Sequence, residues 1–271
     1  MKLVLCFLCL SMVACTLRQI SSADVITADE EFARLSRERS TRDAFLATLD
    51  DSSILFRPDS VNGIKFWTAN PDRGDLLFWQ PAYAVVSTNE DLGVTIGPYY
   101  LQPSRHPDST RRFGHYLSVW RKRATSWKLV MDLGISHNEM AFPKETMDLT
   151  QNIIVTCDTG VAEVERSFVS SHKEISSLAY ENVTHNEIQM LRPGYDPILK
   201  DSTNHFLKRA EMRVEYTYRG AYTSSSCDLG YAYGDAVVEL TESGQRIPLH
   251  YIRVWQQTRK GWKILFDIVG F

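Results

Sequence analysis

Two pairs of residues in this chain have the types that proton transfer needs. His115 and Asp132 lie on consecutive segments, and His250 and Asp267 repeat them further along. An imidazole beside a carboxylate can take and return a proton as a general base. The same pair can also be purely structural, the His donating to the Asp and pinning two strands together. If the turn between the segments centres on Ala124-Thr125, residues whose numbers add to about 249 face each other. That register puts His115, Leu117, Asp132 and Gly134 on one face and Trp120, Trp127, Leu129 and Met131 on the other. A one-residue bulge in the turn undoes the assignment, because a slip of one flips every side chain. No other constellation competes. There is no G-x-S-x-G, P-loop, G-x-G-x-x-G or H-E-x-x-H run, and His137-Asn138-Glu139 and His185-Asn186-Glu187 lack the spacing of a closed metal site. Neither a metal nor a cofactor is expected.

The elements that must position these residues are written twice. His115-Tyr116-Leu117-Ser118-Val119-Trp120 returns as His250-Tyr251-Ile252-Arg253-Val254-Trp255, 135 positions later. Trp127-Lys128-Leu129-Val130-Met131-Asp132 returns as Trp262-Lys263-Ile264-Leu265-Phe266-Asp267, and Arg57-Pro58 as Arg192-Pro193, at the same offset. Asp91-Leu92-Gly93 and Gly97 match Asp228-Leu229-Gly230 and Gly234 at 137. A period this long implies a duplicated domain rather than a solenoid. Each copy reads as helices followed by strands. Thr27 to Glu30 has capping-box spacing before Phe32 and Leu35, and a second helix starts near Thr41. In the second copy Val161, Val164, Phe168, Ile175 and Leu178 follow helical spacing. Strands are expected over 76–87, 92–100, 113–123 and 127–136, then over 213–222, 229–240, 249–257 and 262–269. Asp91 and Asp228 fit turn bonds at the start of a strand.

Thirty Lys+Arg against 33 Asp+Glu give a formal charge of -3, which argues against a nucleic-acid partner. Lys2 and the apolar run from Leu3 to Ala14 form a signal-like segment that is too short to span a bilayer. Its end, Met12-Val13-Ala14-Cys15, reads as a lipoprotein-type signal with Cys15 lipidated, so the membrane is engaged only through that lipid. The alternative is plain secretion with cleavage after Ala23. Either reading exports the protein, the first to a bacterial cell envelope. Cys6 and Cys9 fall inside this segment and form no redox motif. Cys157 and Cys227 remain. Two cysteines do not establish a bond, and buried free thiols are expected.

Helices followed by hairpins ending in "HYLSVWRKRATSWKLVMDLG" resemble the nuclear transport factor 2-like superfamily, in particular its SnoaL-like branch. The resemblance implies an α+β class with two tandem cones, each a curved antiparallel sheet over N-terminal helices. The expected organisation is a signal at 1–15, a first domain at 24–138, a linker at 139–154 and a second domain at 155–271. By the same resemblance, the cone of the first copy takes a small apolar or amphipathic ligand, with Trp67, Trp79, Tyr83, His115 and Asp132 lining it. His250 and Asp267 are the weaker equivalents, because Gly114 becomes Leu249 and Gly134 becomes Val269. Two other functions stand beside this one. One is a cofactor-independent lyase or isomerase using Asp132 and His115 for proton transfer, hydration or cyclisation. The other is an envelope interaction module with vestigial pockets. The resemblance also implies the dimerisation through the outer face of the sheet that single-domain members often show, so the copies are expected to form an intramolecular pseudo-dimer, with the repeated tryptophans contributing to its interface.

Overall fold

The computed structural model describes residues 20–106, 108–151, 153, 155–174, 176–209 and 212–271. The signal segment 1–15, including Cys6, Cys9 and Cys15, lies outside the described residues, as does Ile175. The N-terminal half runs α1 (Ala23–Glu38), α2 (Thr41–Thr48), β1 (Leu49–Phe56), β2 (Ser60–Asn62), α3 (Gly63–Ala69), β3 (Leu76–Trp79), β4 (Tyr83–Val86), β5 (Leu92–Gln102), β6 (Arg112–Arg123), β7 (Ser126–His137) and β8 (Met147–Asp148). The C-terminal half runs α4 (Val161–Glu174), α5 (Ser176–Glu181), β9 (Thr184–Leu191), β10 (Ile198–Leu199), α6 (Lys200–Arg209), β11 (Met212–Thr223), β12 (Leu229–Leu240), β13 (Arg246–Thr258) and β14 (Gly261–Gly270). The class is α+β, with helices laid inside a curved sheet in each half.

Strand order is β2-β1-β7-β6-β5-β4-β8 in one sheet, with β3 also on β5, and β10-β9-β14-β13-β12-β11 in the other. In both, the first long strand lies parallel to the last one, and the remaining long strands pair antiparallel. The long β11 corresponds to β3 and β4 together. It absorbs the break at Gln80-Pro81-Ala82 as a bulge between Tyr218 and Gly220.

Helix starts follow local chemistry. Ser40 caps α2 by accepting from the Asp43 amide at 3.0 Å, and Asn62 caps α3 by accepting from Lys65 at 3.0 Å. The capping box expected at Thr27 is not used. The α1 helix begins at Ala23, and the Thr27 hydroxyl donates back to the Ala23 carbonyl at 2.9 Å in mid-helix. The expected linker is partly tied down. Its β8 pairs with β4, and Asp148 accepts from the Ser22 amide at 2.8 Å. Cys157 and Cys227 are joined in a disulfide with Cα atoms 5.4 Å apart, which corrects the expectation of free thiols.

Two cores lie inside the halves, one around Phe32, Phe45 and Trp120 and the other around Phe168, Tyr180 and Trp255. A third lies between the outer faces of the sheets. Leu117, Val119, Val130, Met131 and Leu133 meet Ile252, Val254, Leu265, Phe266 and Ile268 there. The tryptophans expected at that interface are not in it. Trp120 and Trp127 pack inside the first half, and Trp255 and Trp262 inside the second. At the edge of this layer the two hairpin turns exchange hydrogen bonds reciprocally. Asp228 accepts from the Thr88 amide at 2.7 Å, and Asp91 accepts from the Ser225 amide at 2.9 Å. Each aspartate also accepts from the serine of its own turn, Ser87 at 2.8 Å and Ser224 at 3.0 Å.

Candidate functional site

The register of β6 against β7 decides which side chains enter the first cone. Near the turn the pairing follows the expected sum, with Lys122 opposite Trp127 and Trp120 opposite Leu129. A bulge then intervenes. Val119 pairs with Met131 and Ser118 with Asp132. Val130 and Met131 consequently both point outward into the layer between the sheets, and every residue beyond them changes face. The second half does the same at Leu265 and Phe266, between the Val254–Phe266 and Trp255–Ile264 pairs.

This overturns the expected pairs. Asp132 faces the cone interior, beside Ser118 and Tyr116. His115 lies on the other face, where its Nδ1 is 2.6 Å from His137 Nε2. Burial first, then His137, pushes the His115 imidazole down to about 3, so it is neutral. His250 and Asp267 are separated in the same way. The His250 ring stacks on Phe56 at 4.5 Å and donates through Nε2 to the Pro58 carbonyl at 2.6 Å, both partners being in the first half. Tyr83 also leaves the site, because it packs against the layer between the sheets. Trp67, Trp79 and Asp132 line the cavity.

That cavity has a volume of about 280 Å³ between α1–α3 and the concave face of the first sheet. Phe32, Phe45, Trp67, Trp79, Tyr99 and Tyr116 form its aromatic wall. Phe45 stacks on Trp67 at 4.8 Å and meets Phe32 edge-on at 4.9 Å. At the base, Asp132 accepts from the Ser118 hydroxyl at 2.7 Å. Burial raises the Asp132 carboxyl above its ordinary range, with Arg57 and the Ser118 hydrogen bond pulling the other way. Behind the wall, fully buried Asp29 accepts from Tyr116 Oη at 2.5 Å and Trp79 Nε1 at 2.8 Å. Burial pushes Asp29 up to about 6 against those two hydrogen bonds. Phe271 sits at the mouth, with its amide 3.3 Å from the Gly134 carbonyl.

The second cone is built on the same plan but is closed at its base. The position of Ser118 holds Arg253, which is fully buried. Its guanidinium donates to Glu165 at 2.6 Å and lies 3.4 Å from Asp267, which Arg192 also reaches at 3.1 Å. Burial acts to raise Asp267, but Arg192 and Arg253 together hold it below the ordinary carboxylate range. The position of Gly134 holds Val269, buried in the core. A second size exchange accompanies it. Tyr99 lies over Gly114, where an added Cβ would come within 2.7 Å of the ring, whereas Ala236 faces Leu249 at the matching pair. What remains is a groove of about 410 Å³ beside the network, lined by Tyr180, Arg192, Phe206 and Tyr216. Among the described residues, no three His, Cys, Asp or Glu side chains come together as a metal site.

The register bulge is what sequence reasoning missed, and with it the inward positions of Ser118 and Arg253. A weak signal was present. Leu129-Val130-Met131 and Ile264-Leu265-Phe266 are three apolar residues in a row, where alternation on a half-buried strand allows one face only.

No family model and no curated protein matches the chain. Among solved structures it is similar to a nuclear transport factor 2-like protein from Cytophaga hutchinsonii, at 12% identity and a TM-score of 0.35 over 41% of this chain and 93% of that one. A nuclear transport factor 2-like protein of unknown function in nutrient uptake from Rhodospirillum rubrum matches at 13% and 0.36, over 41% and 98%. A ketosteroid isomerase-like protein from Erwinia carotovora matches at 10% and 0.34, over 40% and 89%.

Proposed function

We propose that the protein binds a small amphipathic molecule in the cone of its N-terminal half, as one of two duplicated nuclear transport factor 2-like domains spanning 24–138 and 155–271. The observation that carries this is the contrast between the cones. One keeps an aromatic-walled cavity with a carboxylate at its base, whereas side chains of the chain itself close the base of the other. The second domain then serves as an intramolecular partner, covering the outer face that a single domain would leave exposed. On the sequence reading the protein is exported and anchored through Cys15, and the Cys157–Cys227 bridge suits an oxidising compartment. Catalysis by His115 and Asp132 acting together is not part of this reading, because a sheet lies between them. The test is mass spectrometry of small molecules released from folded, purified residues 20–271, alongside a Trp79→Ala, Phe45→Ala variant. A species that co-purifies with the parent and is lost from the variant is expected. Its absence after expression in several unrelated hosts would sink the proposal.

A further inference from the structure

The closed cone states what the open one lacks. The four rings around the Arg253 guanidinium are Phe168 at 4.1 Å, Tyr216 at 4.5 Å, Tyr251 at 5.1 Å and Tyr180 at 6.0 Å. At offsets of 135 to 137 these positions are Phe32, Trp79, Tyr116 and Phe45, all aromatic and all on the cavity wall. The geometry carries over too. Phe168 meets Tyr180 at 4.9 Å and 80°, and Phe32 meets Phe45 at 4.9 Å and 85°. The carboxylates correspond as well. Asp267 has its counterpart in Asp132. Glu165, which accepts from Trp255 Nε1 at 2.8 Å, has its counterpart in Asp29, which accepts from an indole at a non-equivalent position, Trp79 Nε1, at 2.8 Å. Arg192 corresponds to Arg57, each donating to the carbonyl of the residue before it, at 2.9 and 2.7 Å. One member of the set is absent. Where the second half has Arg253, the first has Ser118, and the space so released is part of the cavity.

Resting on the ligand-binding reading above, we infer that the first cone takes an organic cation, an ammonium or guanidinium group on a compact apolar body, seated where the Arg253 guanidinium lies in the second. Asp132 at the base and Asp29 behind the wall, set against Arg57 alone, leave the open cone with an excess of negative charge, whereas two carboxylates against two arginines leave the closed one neutral. The opposite shifts of Asp132 and Asp267 report the same imbalance, since the closed cone has the second cation and the open one does not. Arg57 does not forbid a further cation, because Arg192 and Arg253 share Asp267 in the second half. Aromatic faces around the charge add cation–π attraction. A volume near 280 Å³ is at the small end of ligand pockets, which suits a single ring carrying one charged group.

The experiment titrates the folded chain with phenylguanidine, its neutral analogue phenylurea and anionic phenylacetate, followed by tryptophan fluorescence and calorimetry. Phenylguanidine is expected to bind at least about tenfold more tightly than phenylurea. It should lose about tenfold in Asp132→Asn, and Ser118→Arg should abolish its binding, because that variant carries its own guanidinium into the site. Asp132→Asn is near-isosteric, so it reads the charge even if Ser118→Arg does not fold. Phenylurea or phenylacetate binding as tightly as phenylguanidine would overturn the cation while leaving an amphipathic-ligand site. Binding by none of the three would overturn both.

Discussion

Replacing Arg253 with Met probes the closed cone where its charges are most concentrated. Met keeps much of the length and apolar stem of Arg, so packing against Phe168 and Tyr251 is largely retained while the charge is removed. The two carboxylates are affected unequally. Asp267 keeps Arg192 at 3.1 Å and the Tyr180 hydroxyl at 2.5 Å. Glu165 keeps the Trp255 indole at 2.8 Å but loses its arginine, and both side chains of that ion pair are 0% exposed. Removing one partner of a buried pair costs about 3–5 kcal/mol, because the other charge is left uncompensated. That is a large share of the roughly 5–15 kcal/mol that holds a typical domain folded.

The cost should depend on pH in a stated direction. Burial already holds Glu165 above its ordinary range, with Arg253 opposing, and removing Arg253 raises it further. A carboxyl whose folded pKa exceeds its unfolded value binds more protons in the native state, so stability falls as pH rises through that window. The penalty of Arg253→Met is therefore greater at pH 7 than at pH 5 and shrinks as pH falls. Adding Glu165→Gln keeps an acceptor for the Trp255 indole and removes the orphan charge, so the double variant should recover most of the loss. Urea unfolding at both pH values, followed by fluorescence and circular dichroism, completes the double-mutant cycle. An Arg253→Met variant within about 1 kcal/mol of the parent at pH 7 would refute the reasoning. So would a cost that Glu165→Gln leaves unchanged.

Two further expectations follow from the fold. The Cys157–Cys227 bridge closes a loop of 70 residues, so Cys157→Ser with Cys227→Ser should lower stability by about 2–4 kcal/mol, read from the urea midpoint; an unchanged midpoint in non-reducing buffer would argue against the bridge. His115, held down to about 3, binds fewer protons folded than unfolded, so its share of stability is lost as pH falls from about 6.5 towards 3, at up to about 1.4 kcal/mol per unit. Imidazole proton NMR should find its signal still neutral at pH 5, and titration in the ordinary histidine range would show that the ring is not buried between the sheets.

The long strands were legible because their apolar and β-branched runs are separated by turn residues, and the repeat made each half a check on the other. The expected strands over 92–100 and 229–240 match β5 and β12 closely. The short elements were not legible. The α3 helix has seven residues and no room for a helical period, yet it carries Trp67 to the cavity. The β1 strand carries polar Asp50-Asp51-Ser52-Ser53 after Leu49 and lies in the sheet because β7 offers Leu49, Ile54 and Leu55 a parallel edge. The facing of β6 and β7 was illegible for a different reason. Both faces of these strands are buried, one in a cone and one between the sheets, so hydrophobicity does not distinguish them. A bulge then leaves only a weak trace, the apolar triplets Leu129-Val130-Met131 and Ile264-Leu265-Phe266. The sequence repeat reinforced the error instead of exposing it, since both halves carry the bulge at the same place.

The same bulge is what gives the differences between the two halves their meaning. With Asp132 and Asp267 turned inward, positions 118 and 253 stand opposite them across the hairpin, and positions 134 and 269 lie beside them on the same face. Ser against Arg and Gly against Val are then not scattered surface changes but changes at the base of each cone. In the second half the cation is covalently part of the chain, so the network is complete whenever the half is folded. In the first half the corresponding space is part of the cavity, and on the proposed reading a ligand that fills it would bind only the folded form. Its contribution to stability must therefore scale with ligand concentration as RT ln(1 + [L]/Kd), while that of Arg253 stays constant.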